Sequence, residues 1–443
     1  MAVTKRPSLQ SFEPVEAYIE SLSHEGRGVT HINGKATFVD GGLPGERVLF
    51  RYFRRRGRFD EGRVMEVLEP SPDRAEPRCP HYGICGGCSL QHLAPGAQIR
   101  HKEAVLLEQL RHMGGVEPDA VLPPLTGPVW GYRRKARLGV KFVEKKGGVL
   151  VGFRERQGRL VADLTRCEVL HPAVGLRLPQ LRALVGSLSV SRHIPQIEVA
   201  VGDSEAALVF RHLQPFSEKD KELLRSFASK DGVGVYLQPG GPDSITPLWP
   251  ESPAPLNYRL LEDIEIQFQP ADFTQVNVGI NGMMVDRVLE LLDPAPGDQV
   301  LDLFCGLGNF TLPLARRAMQ ATGVEGEHGL VERARANAAR NGVGNVEFMC
   351  ANLSDPIPDA PFLHACYDKV LLDPPRTGAL EIISRLDFEG AKRVVYVSCN
   401  PATLARDSRV LTAEKGFRLL KAGVMDMFPH TTHIESVALF ERR

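Results

Sequence analysis

Cysteine is scarce in this chain, eight in 443 residues, and that scarcity excludes a disulfide-built scaffold. Surplus charge is also missing. Fifty-four basic residues face 54 acidic ones, so no global field recruits a polyanion and any electrostatic signal must be local. No apolar run approaches the roughly 20 residues that span a bilayer. The opening "MAVTKRPSLQ" lacks the apolar stretch of a secretory leader. No internal repeat or low-complexity tract occurs, and no feature calls for an obligate protein partner. The expectation is a cytoplasmic protein whose length predicts about two to four domains.

What is there falls into three rhythms. Residues 11–69 alternate short apolar runs with glycine-bearing turns, which predicts a small all-β barrel. "SPDRAEPRCP" (71–80) reads as a linker. From about 129 to 236, strand-like pieces such as "KARLGVKFV" and "IEVAVGD" surround one helical segment near "LRLPQLRALVGSL", an α+β pattern. The proline-rich run 239–258 reads as a second linker or a long loop. After it, strands "DQVLDLF", "ATGVE", "DKVLLDPP" and "RVVYVSCN" each precede a helix. That alternation predicts a doubly wound, Rossmann-like α/β domain with a parallel sheet. The boundaries follow as 11–69, 70–262 and 263–443, with 93–124 able to pack on the last part.

"VLDLFCGLGNFTLPLA" places Asp302, Gly306 and Gly308 around the end of the first strand of that α/β domain. Glycines there permit a tight turn and a close approach of backbone to ligand. The third glycine of G-x-G-x-x-G is lacking, which weakens a pyrophosphate reading; alone, the loop also fits a plain βα turn. Glu325 ends the second strand, some twenty residues on, where a carboxylate can accept hydrogen bonds from both ribose hydroxyls. Together these favour an adenosyl ligand without pyrophosphate, S-adenosylmethionine. In "DKVLLDPPR", Asp373 stands at the carboxyl end of the fourth strand, and two prolines stiffen the exit into a wall suited to a planar base.

"VVYVSCNP" delivers Cys399 to the ligand end of a β-branched strand, with Asn400 and Pro401 opening the next helix. Uracil carbon 5 is a poor nucleophile, and a thiolate adding at carbon 6 would activate it by forming an enolate. A helix N-terminus nearby would favour the thiolate. The bland alternative is a small buried thiol, the expectation for Cys305, Cys350 and Cys366. A base must take the carbon-5 proton. "FPHTTHIESVALF" offers Glu435 for that task, with His433 or His430 as the alternatives.

Three cysteines crowd into "CPHYGICGGC", namely Cys79, Cys85 and Cys88, and Cys167 in "LTRCEVLHP" can supply a fourth thiolate. Four thiolates suit either a [4Fe–4S] cluster or structural zinc. "RYFRRRGRF" concentrates Arg51, Arg54, Arg55, Arg56 and Arg58 with Tyr52, Phe53 and Phe59 and no acid. Arginines neutralise phosphates and aromatics stack on bases; arginine runs also protect strand edges. A second stretch, "GYRRKARLG", adds Tyr132, Arg133 and Arg134 as RNA-facing candidates.

"DLFCGLGNF", "DPPR", "VSCNP" and "HTTHIESV", in that order and preceded by "DFTQVN", resemble the RNA uracil-5-methyltransferase family. The resemblance implies an S-adenosylmethionine site lined by Gln275, Phe304, Asn309, Glu325, Asn352 and Asp373. It implies Cys399 as nucleophile and Glu435 as proton acceptor. The N-terminal barrel is similar to the OB-like TRAM domain, and the cysteine spacing to the subgroup that modifies large-subunit ribosomal RNA. That subgroup implies a [4Fe–4S] cluster and 23S ribosomal RNA as the partner. Rival readings are a transfer-RNA uracil methylase, a cytosine-5 methylase, and an RNA-binding assembly protein with a vestigial methylase fold.

Overall fold

A computed structural model describes residues 13–156, 158–260, 263–354 and 359–442. The chain divides into two compact units. One gathers the residues up to Gly83 with Cys88–Val105 and Pro429–Thr432; the other gathers Ile84–Gly87, Leu106–Phe428 and the residues from His433 on. Among the described residues, no helix is long and apolar enough to cross a membrane.

The first unit is built on six strands, β1 (Val15–Tyr18), β2 (Ser21–Leu22), β3 (Gly28–Ile32), β4 (Lys35–Asp40), β5 (Arg47–Arg55) and β6 (Asp60–Glu69). They pair in the order β1-β5-β6-β4-β3-β2. Alternation along β5 turns Val48, Phe50 and Tyr52 into the core and leaves the residues between them toward solvent. A Cβ at Gly62 would meet the Phe50 ring at 2.5 Å, so only glycine lets β6 pass that ring.

The second unit carries two large sheets. Its first two strands in chain order are β7 (Ala120–Val121) and β8 (Lys135–Val143), followed by β9 (Gly148–Gly152), β10 (Gln196–Val201), β11 (Ala206–Arg211), β12 (Gly234–Gln238) and β13 (Thr246–Trp249). Strands β8 to β13 form one mostly antiparallel sheet in the order β13-β12-β11-β10-β8-β9. Two helices accompany it, Leu178–Ser187 and Glu218–Asp231. The second of these departs from the single expected helix. The proline-rich run also departs from a linker, because it contains β13 and leads into β14 (Leu256–Arg259). Pro247 is accommodated because β13 is the sheet's edge.

β14 pairs with β15 (Glu265–Phe268) as a two-stranded ribbon. Asn337 and Asn341, on the helix His328–Arg340, grip β15 through its backbone: each side-chain amide both donates to and accepts from a main-chain group of Gln267 or Glu265. Asn337 donates as well to Leu307 O in the glycine loop, at 3.2 Å.

The α/β sheet contains β16 (Gln299–Leu303), β17 (Gln320–Glu325), β18 (Val346–Cys350), β19 (Lys369–Leu372), β20 (Arg393–Ser398), β21 (Phe417–Met425) and β22 (Glu435–Arg442). Their order is β18-β17-β16-β19-β20-β22-β21-β7. The chain works outward from β16 to β18, then returns to place β19 on the other side of β16. Open α/β sheets bind ligands at such a switch point, beyond the carboxyl ends of the strands. Only β22 runs antiparallel to its neighbours β20 and β21. The segment before β8 joins this sheet: β7 extends it beside β21, and Gly114 lies so close to the helix Pro401–Ala413 that a Cβ would meet Ala405 O at 2.7 Å.

A candidate cofactor and active site

Beyond Leu303 the chain turns through Phe304 (φ +68°), Gly306 (φ +54°) and Gly308 (φ +88°) before the helix Thr311–Ala315 begins. A positive φ is unusual for phenylalanine. It is held here because the Phe304 and Cys305 N–H groups donate to Val324 O at 2.8 and 3.1 Å, carrying the β16–β17 ladder past the strand end. Glu325, the last residue of β17, accepts hydrogen bonds from Gly306 N (3.1 Å), Gly326 N (2.7 Å) and Glu327 N (3.0 Å). Three backbone donors thus fix a carboxylate at the mouth of the glycine loop. Its two oxygens keep lone pairs for further donors.

This loop opens on a cavity of about 600 Å³ whose wall includes Gln275, Phe304, Asn309, Glu325, Asn352, Asp373, Cys399 and Glu435. The eight residues that the family resemblance implies for the cofactor and the chemistry therefore line one space. The side chain of Asn309 is heavily engaged. Its Oδ1 accepts from Tyr258 Oη and Asn281 Nδ2, both at 2.9 Å, and its Nδ2 donates to Asn281 Oδ1 at 3.0 Å. One N–H remains for a ligand. Asn352 also builds a local turn, accepting from Ser354 N at 3.0 Å.

The register of β20 and β22 sets the reactive pair. Ser398 stands opposite Ser436 in an antiparallel ladder, so the next residue out on each strand, Cys399 and Glu435, face one another at the sheet's ligand end. The Ser436 hydroxyl donates to Ser398 O at 3.0 Å and locks that last rung. Asn400 caps the helix Pro401–Ala413 by accepting from Ala402 N, which turns the chain away immediately after the thiol.

Electrostatics in the cavity run against charge. Burial pushes Asp373 up to about 7. Burial also pushes Asp302, beneath the glycine loop, up to about 8; its Oδ2 accepts from Thr311 Oγ1 at 2.5 Å, while its Oδ1 has no partner. Glu435 lies well above the usual carboxylate range through burial and the nearby Asp373, against the pull of Arg376. The Cys399 thiol is pushed up to about 11 by burial and by the Glu435 charge, with Arg376 opposing. A thiolate favoured by the helix N-terminus was the expectation. Desolvation and two neighbouring carboxyl groups outweigh that dipole.

Arg376 went unassigned from sequence, although its place in "DPPR" beside so many acids was a readable signal. It lines the cavity, and its Nη2 bonds His433 Nδ1 at 3.0 Å. Asn400 Nδ2 donates to Arg376 O at 2.9 Å, which joins this loop to the one carrying the thiol. His433 is thereby engaged as a partner of Arg376. His430 belongs to the other unit, where it is buried and clamped by Gln98: its N–H donates to Gln98 Oε1 at 2.8 Å, and Nδ1 lies 3.2 Å from Gln98 Nε2. Neither histidine lines the cavity.

Two sets of candidates are placed differently from expectation. In the N-terminal sheet, Tyr52 is core, and Arg54, Arg55 and Arg56 meet Glu61 or Asp60 at 3.0, 3.4 and 3.5 Å, acids that lie just past the quoted stretch. Arg51 is half-buried and Arg58 exposed. In the second unit Tyr132 is buried, Arg133 donates to Lys135 O and lies over Phe153, and Arg134 pairs with Asp203. These three side chains are spent on internal contacts and form no free basic face.

The cysteine set is also incomplete. Among the described residues, no three His, Cys, Asp or Glu side chains come together as a metal site. Cys79 and Cys88 fall in one unit and Cys85 and Cys167 in the other. One local feature fits a ligating thiolate: Gly87 N–H points to Cys85 Sγ at 3.4 Å, the type of hydrogen bond that stabilises a metal-bound sulfur.

A model of the tRNA (Uracil-5-)-methyltransferase family matches residues 261–443. The chain is 55% identical over 438 residues to the 23S rRNA (uracil(1939)-C(5))-methyltransferase RlmD of Nitrosococcus oceani, covering 98% of this chain and 97% of that protein. It belongs to the RlmD family. The RlmD of Alkalilimnicola ehrlichii is 54% identical over 431 residues, and that of Methylococcus capsulatus 53% over 431. The chain also shares its fold with the Pyrococcus abyssi tRNA (uracil-54, C5)-methyltransferase in complex with S-adenosyl-L-homocysteine. There the TM-score is 0.73 at 24% identity, over 96% of this chain and 99% of that one. The fold is thus that of an S-adenosylmethionine-dependent methyltransferase behind a β-rich N-terminal region.

Proposed function

We propose that the protein methylates carbon 5 of a uridine in 23S ribosomal RNA. The observation that carries this reading is the opposed pair Cys399 and Glu435 in the cavity that Gln275, Glu325 and Asp373 also line. Near-full-length identity to RlmD proteins supplies the substrate. S-adenosylmethionine, when bound, supplies the methyl group as a sulfonium. Glu325 would hold its ribose, with Gln275, Phe304, Asn309, Asn352 and Asp373 around it.

The Cys399 thiolate adds to uracil carbon 6, and the electron pair of the 5,6 double bond moves to give an enolate whose carbon 5 takes the methyl. The Glu435 carboxylate then removes the carbon-5 proton. The double bond re-forms and the thiolate leaves. The target uridine must be flipped out of its stack to reach a recessed thiol. Pro374 and Pro375 offer a stiff wall for it. The upward shift of Glu435 makes its carboxylate a stronger base for taking that proton.

The N-terminal barrel is the candidate TRAM-type RNA module, spanning residues 11–69, followed by a central domain to 262 and the methylase domain from 263 to 443. Arg51, Arg54, Arg55, Arg56 and Arg58 are its candidate phosphate contacts. Cys79, Cys85, Cys88 and Cys167 are the candidate ligands of a [4Fe–4S] cluster, with structural zinc as the alternative, and the cluster has no part in the steps above. A role in rRNA modification would place the protein in the cytoplasm.

The test is covalent trapping on a 23S rRNA fragment containing 5-fluorouridine. A stable adduct with wild type and none with Cys399→Ser is the expected result; an adduct that survives in Cys399→Ser overturns the mechanism. Iron, sulfide and zinc assays on anaerobically purified protein decide the metal, and stoichiometric zinc without sulfide rejects the cluster.

A further inference from the structure

We propose that Lys135, together with Asp272 and Arg333, clamps the segment Pro270–Asn277 against the cofactor cavity, so that this basic stretch serves cofactor binding through positioning. The inference rests on the reading that Gln275 borders S-adenosylmethionine. Phe273, Thr274 and Gln275 line the cavity in succession yet lie in no helix or strand. Phe273 is 72% exposed, so little packing holds it. Thr274, between Phe273 and Gln275, is buried, and the hydrogen-bonded anchors of the stretch lie at the ends of the segment.

Both ends are tied to the start of β8. Lys135 Nζ donates to Pro270 O. Asp272 is buried, accepts from Gln269 N at 2.7 Å, and pairs with Arg333 at 2.7 Å. At the far end Arg134 N donates to Val276 O at 2.9 Å, and Arg133 bridges Asn277, which caps the helix Val278–Leu292 through Ile280 N at 3.3 Å. Three consecutive residues of one strand entrance therefore hold a loop on both sides of the residues that face the ligand.

The charges around Lys135 are arranged for this task. Glu198 and Asp272 attract the ammonium and Arg137 repels it, while burial pulls it down to about 8. A lysine offered to phosphates in solvent has no reason to be desolvated in this way. Glu198 is shared with Arg137, which pairs with it at 2.9 Å, while the direct hydrogen bond of Lys135 goes to the Pro270 carbonyl beside Asp272. Without the ammonium, Asp272 would keep Arg333 and the Gln269 N–H but lose the attraction that draws the segment toward β8.

The experiment compares wild type, Lys135→Met, Lys135→Arg, Asp272→Asn and the Met/Asn double variant. S-adenosylhomocysteine affinity is measured by calorimetry, affinity for a 23S rRNA fragment by filter binding, and folding by thermal melting. Lys135→Met and Asp272→Asn are each expected to weaken S-adenosylhomocysteine by about tenfold. The double variant should lose little more, because the two groups act on one segment. Lys135→Arg should recover most of the affinity, and RNA binding should hold within twofold in all variants. Unchanged S-adenosylhomocysteine affinity in folded Lys135→Met with weakened RNA binding overturns the clamp, and so do additive losses in the double variant. If Lys135→Met fails to fold, Asp272→Asn and Lys135→Arg decide by the same readings. Failure of wild type to bind S-adenosylhomocysteine overturns the cofactor reading itself, and the clamp with it.

Discussion

The N-terminal sheet and the floor of the cavity use charge in opposite ways. On the sheet, Arg54, Arg55 and Arg56 each find Glu61 or Asp60 within 3.5 Å, and Arg27 reaches Glu61 at 3.1 Å. In the cavity region Asp302 and Glu435 are buried and Asp373 is half-buried, and Arg376 is the one cation among the described residues of the wall. Paired charges on an accessible face add little stability and hold local geometry. Acids buried without an ion pair are shifted upward and become stronger bases when ionised, which suits groups that move protons. The difference separates a surface that shapes the molecule from a site that reacts.

The sharpest break would come at the thiol. Cys399→Ser should lower methylation by more than about a thousandfold, measured as tritium transfer to a 23S rRNA fragment, while melting stays near wild type. Glu435→Gln should follow with a loss of about 100- to 10,000-fold. Unlike Cys399→Ser, it should accumulate the covalent RNA adduct, visible as a shifted band on a denaturing gel. An inactive Glu435→Gln with no adduct would place the glutamate before the addition step.

Removing the lone cation tests whether the cavity needs it. Arg376→Met should slow adduct formation by about tenfold and move the rising limb of the pH–rate profile to higher pH, because Arg376 lowers both the thiol and Glu435. The buried acid beneath the glycine loop should show itself in stability. Asp302 is raised from 3.8 to about 8, so the folded chain keeps a proton that the unfolded chain releases between those values. Stability from this group is full below about pH 4 and is lost as pH rises toward 8. Asp302→Asn should flatten the decline in melting temperature between pH 5 and 8; an unaltered decline would remove Asp302 as its source. The smallest effect belongs to the N-terminal sheet. Arg55→Ala, at a side chain 58% exposed, should cost under about 1 kcal/mol in urea melts while weakening RNA binding a few-fold. Unchanged RNA affinity would leave that face purely structural.

Much of the α/β domain was legible because its signals are local. Strand, glycine loop and capped helix follow one another in "VLDLFCGLGNF" and "VVYVSCNP", and the eight residues proposed for cofactor and catalysis line one cavity. The misses have physical causes. The helix Glu218–Asp231 was overlooked although Ser217 and Asp220 form its capping box, because its mean polarity masks the apolar stripe of Leu224 and Ala228. The run 239–258 reads from sequence as a linker or a long loop because proline is a poor strand former, yet an edge strand tolerates it. The ion pairs of the arginine stretches are not legible because partners such as Asp60, Glu61 and Asp203 lie outside the quoted windows. Arg376 was passed over because a lone arginine after two prolines carries no periodic signal.

The ladder between β20 and β22 acts as a ruler for the proposed chemistry. The spacing of Cys399 and Glu435 is written in backbone hydrogen bonds and needs no loop to close, so it is as rigid as the sheet. Lengthening the turn between β21 and β22 should leave that spacing intact. Deleting a single residue inside β22, with the rest of the strand keeping its pairing, would shift Glu435 by one position to the opposite face and out of step with its thiol. The enzyme's tolerance to insertion and deletion along its last two strands is thereby set by register, and catalytic alignment fails in steps of one residue.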